Sequence, residues 1–420
     1  MSAVVLYFHV HQPFRVKPYS IFQAGHDHDY FNANGESRLN NQKILQKVAD
    51  KCYLPATKLL HHLITKFPNF KVSFSISGPI IEQFEQFAPH VLQSFQDLVA
   101  TGNVELLTET YNHSLSFLYS KPEFHHQIQL HHQKIQSLFN YTPTAFRNTE
   151  LIYNNEIAME VEKLGYQVIL AESIDYILGW RNPNFVYQPV NTKKIKLLLK
   201  NYKLSDDIAF RFSDQSWNEW PLTAEKFAHW VSQINGNGHL VNLFMDFETL
   251  GEHQWAETGI FDFLQHLPTH IYQHPDNQFL TITEAAHAFP IMDTIDMHRL
   301  TSWADTERDL SAWLSNPMQH SAIQTLYDLE KLILKTDDRQ LISDWRHLQS
   351  SDHFYYMCTK WFNDGDVHKY FNPYETPYDA FINYMNVLHD LRYRAETHPK
   401  NLKQNKVAQK KPTMHSQIKS

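Results

Sequence analysis

The stretch LVNLFMDFETLGEHQW, residues 240–255, points to the fold class of this chain of 420 residues. Five of its first six residues are apolar, and they predict a buried strand. The residues that follow include Asp246, Glu248, His253 and Trp255. In α/β folds the active site lies at the carboxyl ends of the strands. The stretch therefore predicts that a functional site begins where this strand ends.

Short apolar segments alternate with amphipathic helical segments over the first ~290 residues, a pattern typical of an α/β domain with a parallel sheet. The predicted strands are 4–10, 71–77, 103–109, 144–150, 167–173, 195–201 and 240–248. The predicted helices between them are 42–67, 80–102, 123–140, 155–165 and 224–234. Seven strands with a repeated crossover favour a closed barrel of about seven or eight units, with a doubly wound open sheet as the alternative.

Polar side chains recur where these predicted strands end. They are His9, His11, Glu105, Glu109, Arg147, Glu150, Glu172, Asp246 and Glu248. A strand selected only for packing would end in turn residues. The recurrence over five strands therefore predicts a shared site at one edge of the sheet.

From about residue 300 the sequence pattern changes from short alternating segments to long helical stretches. These lie at 307–336, 339–357 and 376–396, and they predict a helical bundle. We therefore expect a catalytic barrel at 1–299, a helical bundle that completes the cleft at 300–397, and a tail at 398–420. The tail from 398 holds six lysines and no acidic residue, and its composition predicts disorder.

The bulk composition excludes several classes of protein. The net charge of −8 argues against a nucleic-acid partner. Two distant cysteines, Cys52 and Cys358, suggest neither a disulfide framework nor a metal motif, so a reducing compartment fits best. The N-terminal segment reads as neither a signal peptide nor a membrane span. We therefore expect a cytoplasmic protein with no membrane partner, and the sequence does not indicate its oligomeric state.

The segment HVHQP, residues 9–13, places two histidines on one face of the first strand. His9 and His11 are suited either to binding a metal or to hydrogen bonding with a polyol. The sequence shows neither an HExxH motif nor a clear pair of further ligands. We therefore interpret both as substrate contacts, and predict no metal and no cofactor.

The segment GNVELLTETYNHS, residues 102–114, places Glu105 on the inward face of a strand, with Tyr111 and His113 after it. An inward glutamate needs a partner or a ligand, because burying an unpaired charge is costly. An internal ion pair with Arg147 and a substrate contact are both open. We retain Glu105, Tyr111, His113 and Arg147 as candidate binding residues.

Two carboxylates, Glu150 and Asp246, follow separate predicted strands. Such a pair suits glycoside hydrolysis, in which one carboxylate stays ionised and the other is kept protonated as the acid. A separation of roughly 5–5.5 Å between them implies retention of configuration, and ~6.5–9.5 Å implies inversion. By spacing alone Glu105, Glu172 and Glu248 also compete for these roles.

Five segments, in this order, resemble the sequence blocks of glycoside hydrolase family 57, and within it the short α-amylase-like members. They are HVHQP, GNVELLTETYNHSL, AFRNTELIYNNEIA, MDFETLGEHQW and TSWADTERDLSAWLSNPMQ, between residue 9 and about 319. The resemblance implies an incomplete (β/α)7 barrel followed by a C-terminal α-helical bundle. It also implies retaining cleavage or transfer of α-glucosidic bonds, with an α-glucan or maltooligosaccharide as the substrate.

The resemblance assigns roles by matching blocks. It implies that Glu150 is the nucleophile and Asp246 the general acid/base. The remaining candidates for substrate binding are His9, His11, Glu248, His253, Trp255, Trp303, Asp305 and Asp352. Of these, Trp303 and Asp305 would close the cleft from the far side, and Asp352 is a weaker candidate of the same kind.

One block departs from many relatives, because Arg147, Asn148 and Thr149 precede Glu150 where an aromatic and small residues are common. We prefer an α-1,4-cleaving hydrolase over a 4-α-glucanotransferase or a branching enzyme on the same site. A metal-dependent hydrolase, such as a polysaccharide deacetylase or an α-mannosidase, is a second interpretation. An inactive glucan-binding protein is the third, although both carboxylates are present.

Overall fold

The computed structural model describes residues 2–35, 37–360 and 367–401. Their contacts divide the chain into two compact units. Of these described residues, the first unit comprises those up to 13 and 41–312, and the second comprises those between 14 and 40 and between 313 and 401. Within the described ranges, every helix is too short or too polar to cross a lipid bilayer.

The first unit is an α/β structure that contains the strands. They are β1 (Ser2–Val10), β2 (Val72–Ile76), β3 (Val104–Leu106), β4 (Ala145–Phe146), β5 (Val168–Ala171), β6 (Val186–Pro189), β7 (Lys196–Leu199), β8 (Leu240–Asp246), β9 (Asn277–Phe279) and β10 (Ile291–Ile295). Seven of them match the seven predicted strands: β2 to β5, β7 and β8 fall within the predicted bounds, and β1 begins two residues before its own. The other three were not predicted, and β6 is antiparallel to β7.

Two sheets share the strands, and hydrogen bonds join the sheets at two places. One sheet runs β3-β2-β1-β8, with β9 beside β1, and the other runs β10-β6-β7-β5-β4. A parallel bridge between Thr108 and Phe146 links β3 to β4. The backbone N–H of Asn201 donates to Asn242 O at 2.9 Å and links β7 to β8. Seven parallel strands thus surround one core, which confirms the predicted incomplete barrel.

Strand β1 is buried on both faces, as expected for a central parallel strand. Val4, Leu6 and Phe8 pack in the cluster that contains the helices around the barrel. Val5 and Tyr7 pack instead with side chains from β4, β5, β7 and β8 in the barrel interior. Because side chains alternate along a strand, His9 continues the interior row at the carboxyl end.

Helices of the first unit follow the strands. They are Asn41–Val48, Leu54–Lys66, Gly78–Phe87, Pro89–Ala100, Ser116–Tyr119, Lys121–Phe139, Asn155–Lys163, Asp175–Leu178, Tyr202–Ala209, Ala224–Ser232, Ile260–Ile271 and Ile282–Ala288. A π-helical turn, Ala49–Tyr53, joins the first two of these helices. Short 3₁₀ turns follow β4 (Thr149–Leu151) and β8 (Phe247–Thr249), and another is Ala256–Thr258. The two turns that directly follow β4 and β8 carry Glu150 and Glu248.

The second unit is helical. Its helices are Pro317–Asp328, Glu330–Leu334, Arg339–His347, Ser351–Tyr355, Val367–Phe371 and Pro377–Thr397, with a 3₁₀ turn at Ile21–Gln23, while Ser311–Leu314 lies at the division between the units. Trp345 is fully buried in this unit, and its indole N–H donates to Leu326 O at 2.9 Å. The predicted C-terminal helical bundle is confirmed.

The two units differ from the predicted division in two places. Residues 14–40 belong with the C-terminal helices, and residues 300–312 belong with the barrel. The second difference moves Trp303 and Asp305 into the barrel unit. The predicted domain roles, including a bundle that completes the cleft, stay predictions, and the predicted tail lies outside the described residues from 402 onward.

Candidate active site

Glu150 lies in the turn that follows β4, in a strained backbone conformation with φ 55° and ψ 28°. The left-handed region is unfavourable for a residue with a side chain, and such strain clusters at functional sites. Both carboxylate oxygens receive hydrogen bonds. His113 Nε2 donates to Oε1 at 2.8 Å, and Trp303 Nε1 donates to Oε2 at 2.6 Å. The side chain is 22% exposed, so this fixed carboxylate also reaches solvent.

Glu150 and His113 form a charged pair. Burial alone would raise the pKa of Glu150, but the hydrogen bond from His113 and the charges of His113 and Arg147 outweigh it and lower this pKa. Burial alone would lower the pKa of His113, but hydrogen bonds to Glu109 and Glu150 raise it to about 9. At neutral pH, therefore, Glu150 is ionised and His113 is a cation that donates from both ring nitrogens.

Asp246 ends β8, directly beside the end of β1, because His9 and Asp246 are register partners. Its Oδ1 lies 3.4 Å from His9 Nδ1. Burial would raise the pKa of Asp246, but the hydrogen bond and charge of His9 lower it. The side chain is 43% exposed. Asp246 is therefore an accessible and ionised carboxylate in the free chain.

Glu248, two residues further on, has the opposite character. It is buried, and its Oε1 accepts from the Tyr53 hydroxyl at 2.5 Å and from the backbone N–H of His11 at 3.3 Å. Burial and the nearby charge of Asp246 raise the pKa of Glu248 to about 8. Glu248 is therefore neutral at pH 7. Burial also lowers the pKa of the neighbouring His253, against the charge of Asp246.

Glu109 is fully buried beneath these groups. Its Oε2 lies 3.3 Å from His9 Nε2, 3.3 Å from His113 Nδ1 and 3.5 Å from Arg147 Nη1. Burial would raise its pKa, but the charges and hydrogen bonds of His9 and His113 hold the pKa well below the usual range. Sequence reasoning placed Glu109 at a strand end but not among the binding residues.

Arg147 and Trp303 close the inner side of the cluster. The Arg147 guanidinium is fully buried and lies 5.1 Å from the centre of the Trp303 ring. Lys200 Nζ lies 5.5 Å from the same ring and pairs with Glu172 at 3.4 Å. Two cations thus lie against the ring whose N–H binds Glu150. Lys200 was missed from the sequence, although it follows β7 as Glu172 follows β5.

Several predicted residues lie outside this cluster. Glu105 accepts hydrogen bonds from the backbone N–H of Thr283 at 2.9 Å and from the Ser73 hydroxyl at 3.4 Å. The expected ion pair of Arg147 therefore forms with Glu109 and not with Glu105. The Tyr111 hydroxyl donates to Glu82 at 2.8 Å.

The remaining predicted residues are more peripheral or lie in the other unit. Trp255 is 59% exposed, with Lys51 Nζ 5.3 Å from its ring centre. Asp305 adopts a left-handed backbone conformation with φ 54°, two residues after Trp303. Asp352 belongs to the second unit, where its carboxylate accepts from the Ser350 hydroxyl at 2.7 Å.

His11 completes a stack of three histidine rings. Its Nδ1 lies 2.6 Å from the Ser77 hydroxyl, and its ring centre lies 4.1 Å from that of His113. Potential metal-ligand atoms of His9, His11 and His113 come within 4.8 Å of one another. However, Arg147 Nη1 lies 3.4 Å from both His9 Nε2 and His113 Nδ1. A guanidinium there opposes a second cation, so the cluster fits a metal poorly, and the absence of a metal stays a prediction.

The barrel brings two accessible carboxylates, Glu150 and Asp246, to the ends of separate strands, each beside a histidine. Residues 5–298 match the model of Glycosyl hydrolase family 57. The chain belongs to this family, and it is therefore a glycosidase.

Known proteins agree with this membership. A protein of Methanocaldococcus jannaschii, provisionally named an alpha-amylase, is 42% identical over 397 residues, which are 92% of this chain and 83% of the relative. A branching enzyme of the family from Thermococcus kodakaraensis has a TM-score of 0.65 at 12% identity, over 85% of this chain and 86% of that one. A 4-alpha-glucanotransferase from Thermococcus litoralis has a TM-score of 0.60 at 16% identity, over 84% of this chain and 56% of that one. The two structures show the fold alone.

Proposed function

We propose that this chain is a retaining α-glucan-active glycosidase of the α-amylase type, which cleaves α-1,4-glucosidic bonds by double displacement. The observation that carries the proposal is the fixed state of Glu150. Its two oxygens are bound by His113 and Trp303, its pKa is lowered, and its side chain still reaches solvent. A nucleophile in double displacement needs this combination of ionisation, orientation and access.

In the first step, Glu150 attacks the anomeric carbon and the bond to the leaving oxygen breaks. Asp246 gives its proton to that oxygen. In the second step, Asp246 takes a proton from water, the water oxygen bonds to the anomeric carbon, and the bond to Glu150 breaks. The His113 cation beside Glu150 opposes the return of a proton to the nucleophile, because a carboxylate hydrogen bonded to a cation is stabilised in its charged form.

Asp246 must be protonated to act as the acid, whereas its lowered pKa keeps it ionised in the free chain. Glu248 holds a proton at pH 7, but it is buried beneath Tyr53 and the backbone of His11. Asp246 has access but a lowered pKa. We infer that Asp246 takes up its proton when a bound sugar displaces water from the cleft, since desolvation raises the pKa of a carboxyl group.

Sugar binding is assigned to the polar and aromatic groups around this pair. His11 and His253 offer hydrogen-bonding groups beside Asp246. Trp303 and the exposed Trp255 offer ring faces on which a pyranose stacks. Asp305 follows Trp303 in the same loop. Glu105 and Tyr111 serve the fold instead, because their carboxylate and hydroxyl have protein partners away from the cluster.

The acceptor in the second step decides between hydrolysis and transfer. The relative from M. jannaschii is provisionally named an alpha-amylase, whereas the two structural neighbours described above are a branching enzyme and a glucanotransferase. We propose water as the acceptor. Transfer by a 4-α-glucanotransferase or a branching enzyme is the alternative that product analysis separates. The cytoplasmic location rests on the sequence and stays a prediction.

The test is product analysis on maltooligosaccharides with wild type, Glu150→Ala and Asp246→Ala. We expect both variants to lose at least about 10³-fold in kcat, because each removes a group that acts in both steps. The exposed Glu257→Gln is the control and should match wild type, since this glutamate lies outside the cluster. New reducing ends indicate hydrolysis, and redistributed chain lengths without new reducing ends indicate transfer.

Added azide separates the two roles. In Glu150→Ala, azide takes the place of the nucleophile and should give a β-glucosyl azide. In Asp246→Ala, azide attacks the glycosyl-enzyme and should give an α-glucosyl azide. Wild type that leaves every α-glucan unchanged, or two variants that retain full activity, would contradict the proposal.

A further inference from the structure

The two catalytic carboxylates are joined by an unbroken chain of side chains. Asp246 contacts His9 Nδ1 at 3.4 Å, and His9 Nε2 contacts Glu109 at 3.3 Å. Glu109 contacts His113 Nδ1 at 3.3 Å, and His113 Nε2 contacts Glu150 at 2.8 Å. Each histidine therefore uses one ring nitrogen toward a catalytic carboxylate and the other toward the same atom, Glu109 Oε2.

This arrangement is poor as a simple structural ion pair. Arg147 and Glu109 are both fully buried, yet they meet through one nitrogen and one oxygen at 3.5 Å. Arg147 Nε and Nη2 and Glu109 Oε1 have no hydrogen-bond partner among the described residues. A bidentate arginine–carboxylate pair would satisfy all of these atoms. Glu109 Oε2 is thus placed to contact both histidines and not to form a bidentate ion pair with Arg147. Buried charges without such a pair are costly, and they mark functional sites.

We propose that Glu109 is a positioning residue that orients His9 and His113 and keeps His113 charged, so that one buried carboxylate governs both catalytic carboxylates. The inference rests on the proposed function, which supplies the roles of Asp246 and Glu150. Glu109 itself touches no substrate in this scheme. It acts through the histidines, because a hydrogen bond to one ring nitrogen fixes the direction in which the other ring nitrogen points.

Several charged and titratable groups interact with Glu109. They are Tyr7 and His9 from β1, with His113 and Arg147 from the strand ends. His131, on the helix Lys121–Phe139, accepts the backbone N–H of Glu109 at Nδ1, and its Nε2 donates to Ile76 O. Burial lowers the pKa of His131, so it stays neutral. Arg147 opposes a charge on His113, which leaves Glu109 and Glu150 as the groups that favour it.

The first test is the pH dependence of kcat/KM in Glu109→Gln. Glutamine keeps the size and an acceptor oxygen but removes the charge. The His113 cation then loses a charged partner, so we expect the alkaline limb of activity to move down by about one to two pH units. The control Asp344→Asn neutralises a buried carboxylate that pairs with Arg394 in the second unit, and it should leave the limb in place. A role in stability alone would lower the amount of active enzyme without moving the limb.

The second test reads the network without activity. Histidine-labelled protein is titrated by NMR, and the His113 signal is identified by its absence in His113→Asn. We expect wild-type His113 to titrate near pH 9 and Glu109→Gln to shift this midpoint down by about one to two units. Should the variant not fold, the wild-type midpoint decides alone, since a value near the ordinary ~6.5 overturns the inference.

The two proposals fail in different ways. A wild-type chain with the high His113 midpoint but no action on α-glucans would contradict the proposed function. An active wild type whose His113 titrates near its ordinary pKa would contradict the role of Glu109. So would a Glu109→Gln variant whose alkaline limb of kcat/KM stays where it is in wild type.

Discussion

At the scale of single residues, burial separates two carboxylates that are only two positions apart. Asp246 and Glu248 face the same way on an extended chain, and a period-two pattern treats them as equals. Asp246 is accessible and has a lowered pKa, whereas Glu248 is buried and has a raised pKa. The difference arises from their neighbours. His9 Nδ1 lies 3.4 Å from Asp246, whereas Glu248 accepts from the hydroxyl of Tyr53 and the backbone N–H of His11.

The raised pKa of Glu248 predicts a pH-dependent cost in stability. The folded chain keeps a proton on Glu248 up to about pH 8, and the unfolded chain releases it near the ordinary pKa of about 4.3. Between these values the folded state binds more protons, so its stability falls as pH rises, by up to about 1.4 kcal/mol per pH unit. Glu248→Gln removes this slope. Urea unfolding at about pH 5, 6.5 and 8 measures it.

Glu257→Gln is the control for this prediction, because it makes the same chemical change at a side chain that is exposed in the folded chain. Its stability should follow that of wild type at each pH. A constant offset between wild type and Glu248→Gln over the whole range would show that Glu248 is ionised in the folded chain and would refute the prediction.

At the scale of elements, a π-helical turn fixes the loop after β8. The turn Ala49–Tyr53 interrupts two α-helices, and such turns are frequent at functional sites. It aims the Tyr53 hydroxyl at Glu248, and Cys52 Sγ donates to Phe247 O at 3.1 Å. Gly251 lies against the same turn with φ 105°. The apolar periodicity predicts one continuous helix over 42–67, because the single extra residue of a π-helical turn leaves the apolar pattern nearly unchanged.

Gly251 should tolerate no side chain. A Cβ there would lie 1.9 Å from the carbonyl oxygen of Lys51. Gly259 also has a positive φ, 87°, but a Cβ at that position meets nothing within 4 Å. Gly259→Ala therefore measures the backbone cost alone. We expect Gly251→Ala to lower the free energy of unfolding by at least about 2 kcal/mol more than Gly259→Ala, because the clash shifts the loop.

The same Gly251→Ala variant should lose kcat, since the displaced loop carries Glu248 and follows Asp246. Chemical unfolding and kinetics on maltooligosaccharides check both parts. Equal losses of stability in the two glycine variants would mean that the loop and the π-helical turn are not tightly packed.

At the scale of the whole molecule, the chain order does not follow the division into units. Residues 14–40 come directly after the end of β1, yet they fold with residues 313–401. Asp390 holds them there. This buried carboxylate accepts from the backbone N–H of Gly25 at 2.6 Å, contacts His28 Nδ1 at 2.8 Å and binds the Tyr30 hydroxyl. No local pattern in 14–40 identifies a partner more than 350 residues away.

Asp390→Ala should release this segment. Removing the buried carboxylate takes the acceptor from three donors, of which the Tyr30 hydroxyl is buried, and we expect a loss of about 3–5 kcal/mol and faster proteolytic cleavage within residues 14–40. Limited proteolysis with mapping of the cut sites measures the effect. Asp337→Asn is the control, because this carboxylate is 76% exposed and an ion pair between exposed side chains adds little stability. Unchanged cleavage in Asp390→Ala would mean that other contacts hold the segment.

The sequence by itself determined the seven barrel strands, the family and the carboxylates at the strand ends. These depend on local apolar runs and on ordered blocks, which the linear pattern records. Only the tertiary structure decided which carboxylate serves the site. The sequence pattern places Glu105 and Glu109 on one face of one predicted strand, but Glu105 meets Thr283 and Ser73, and Glu109 meets His9, His113 and Arg147. Protonation and orientation follow from partners brought together by long-range packing, and those partners leave no trace in the spacing of the sequence.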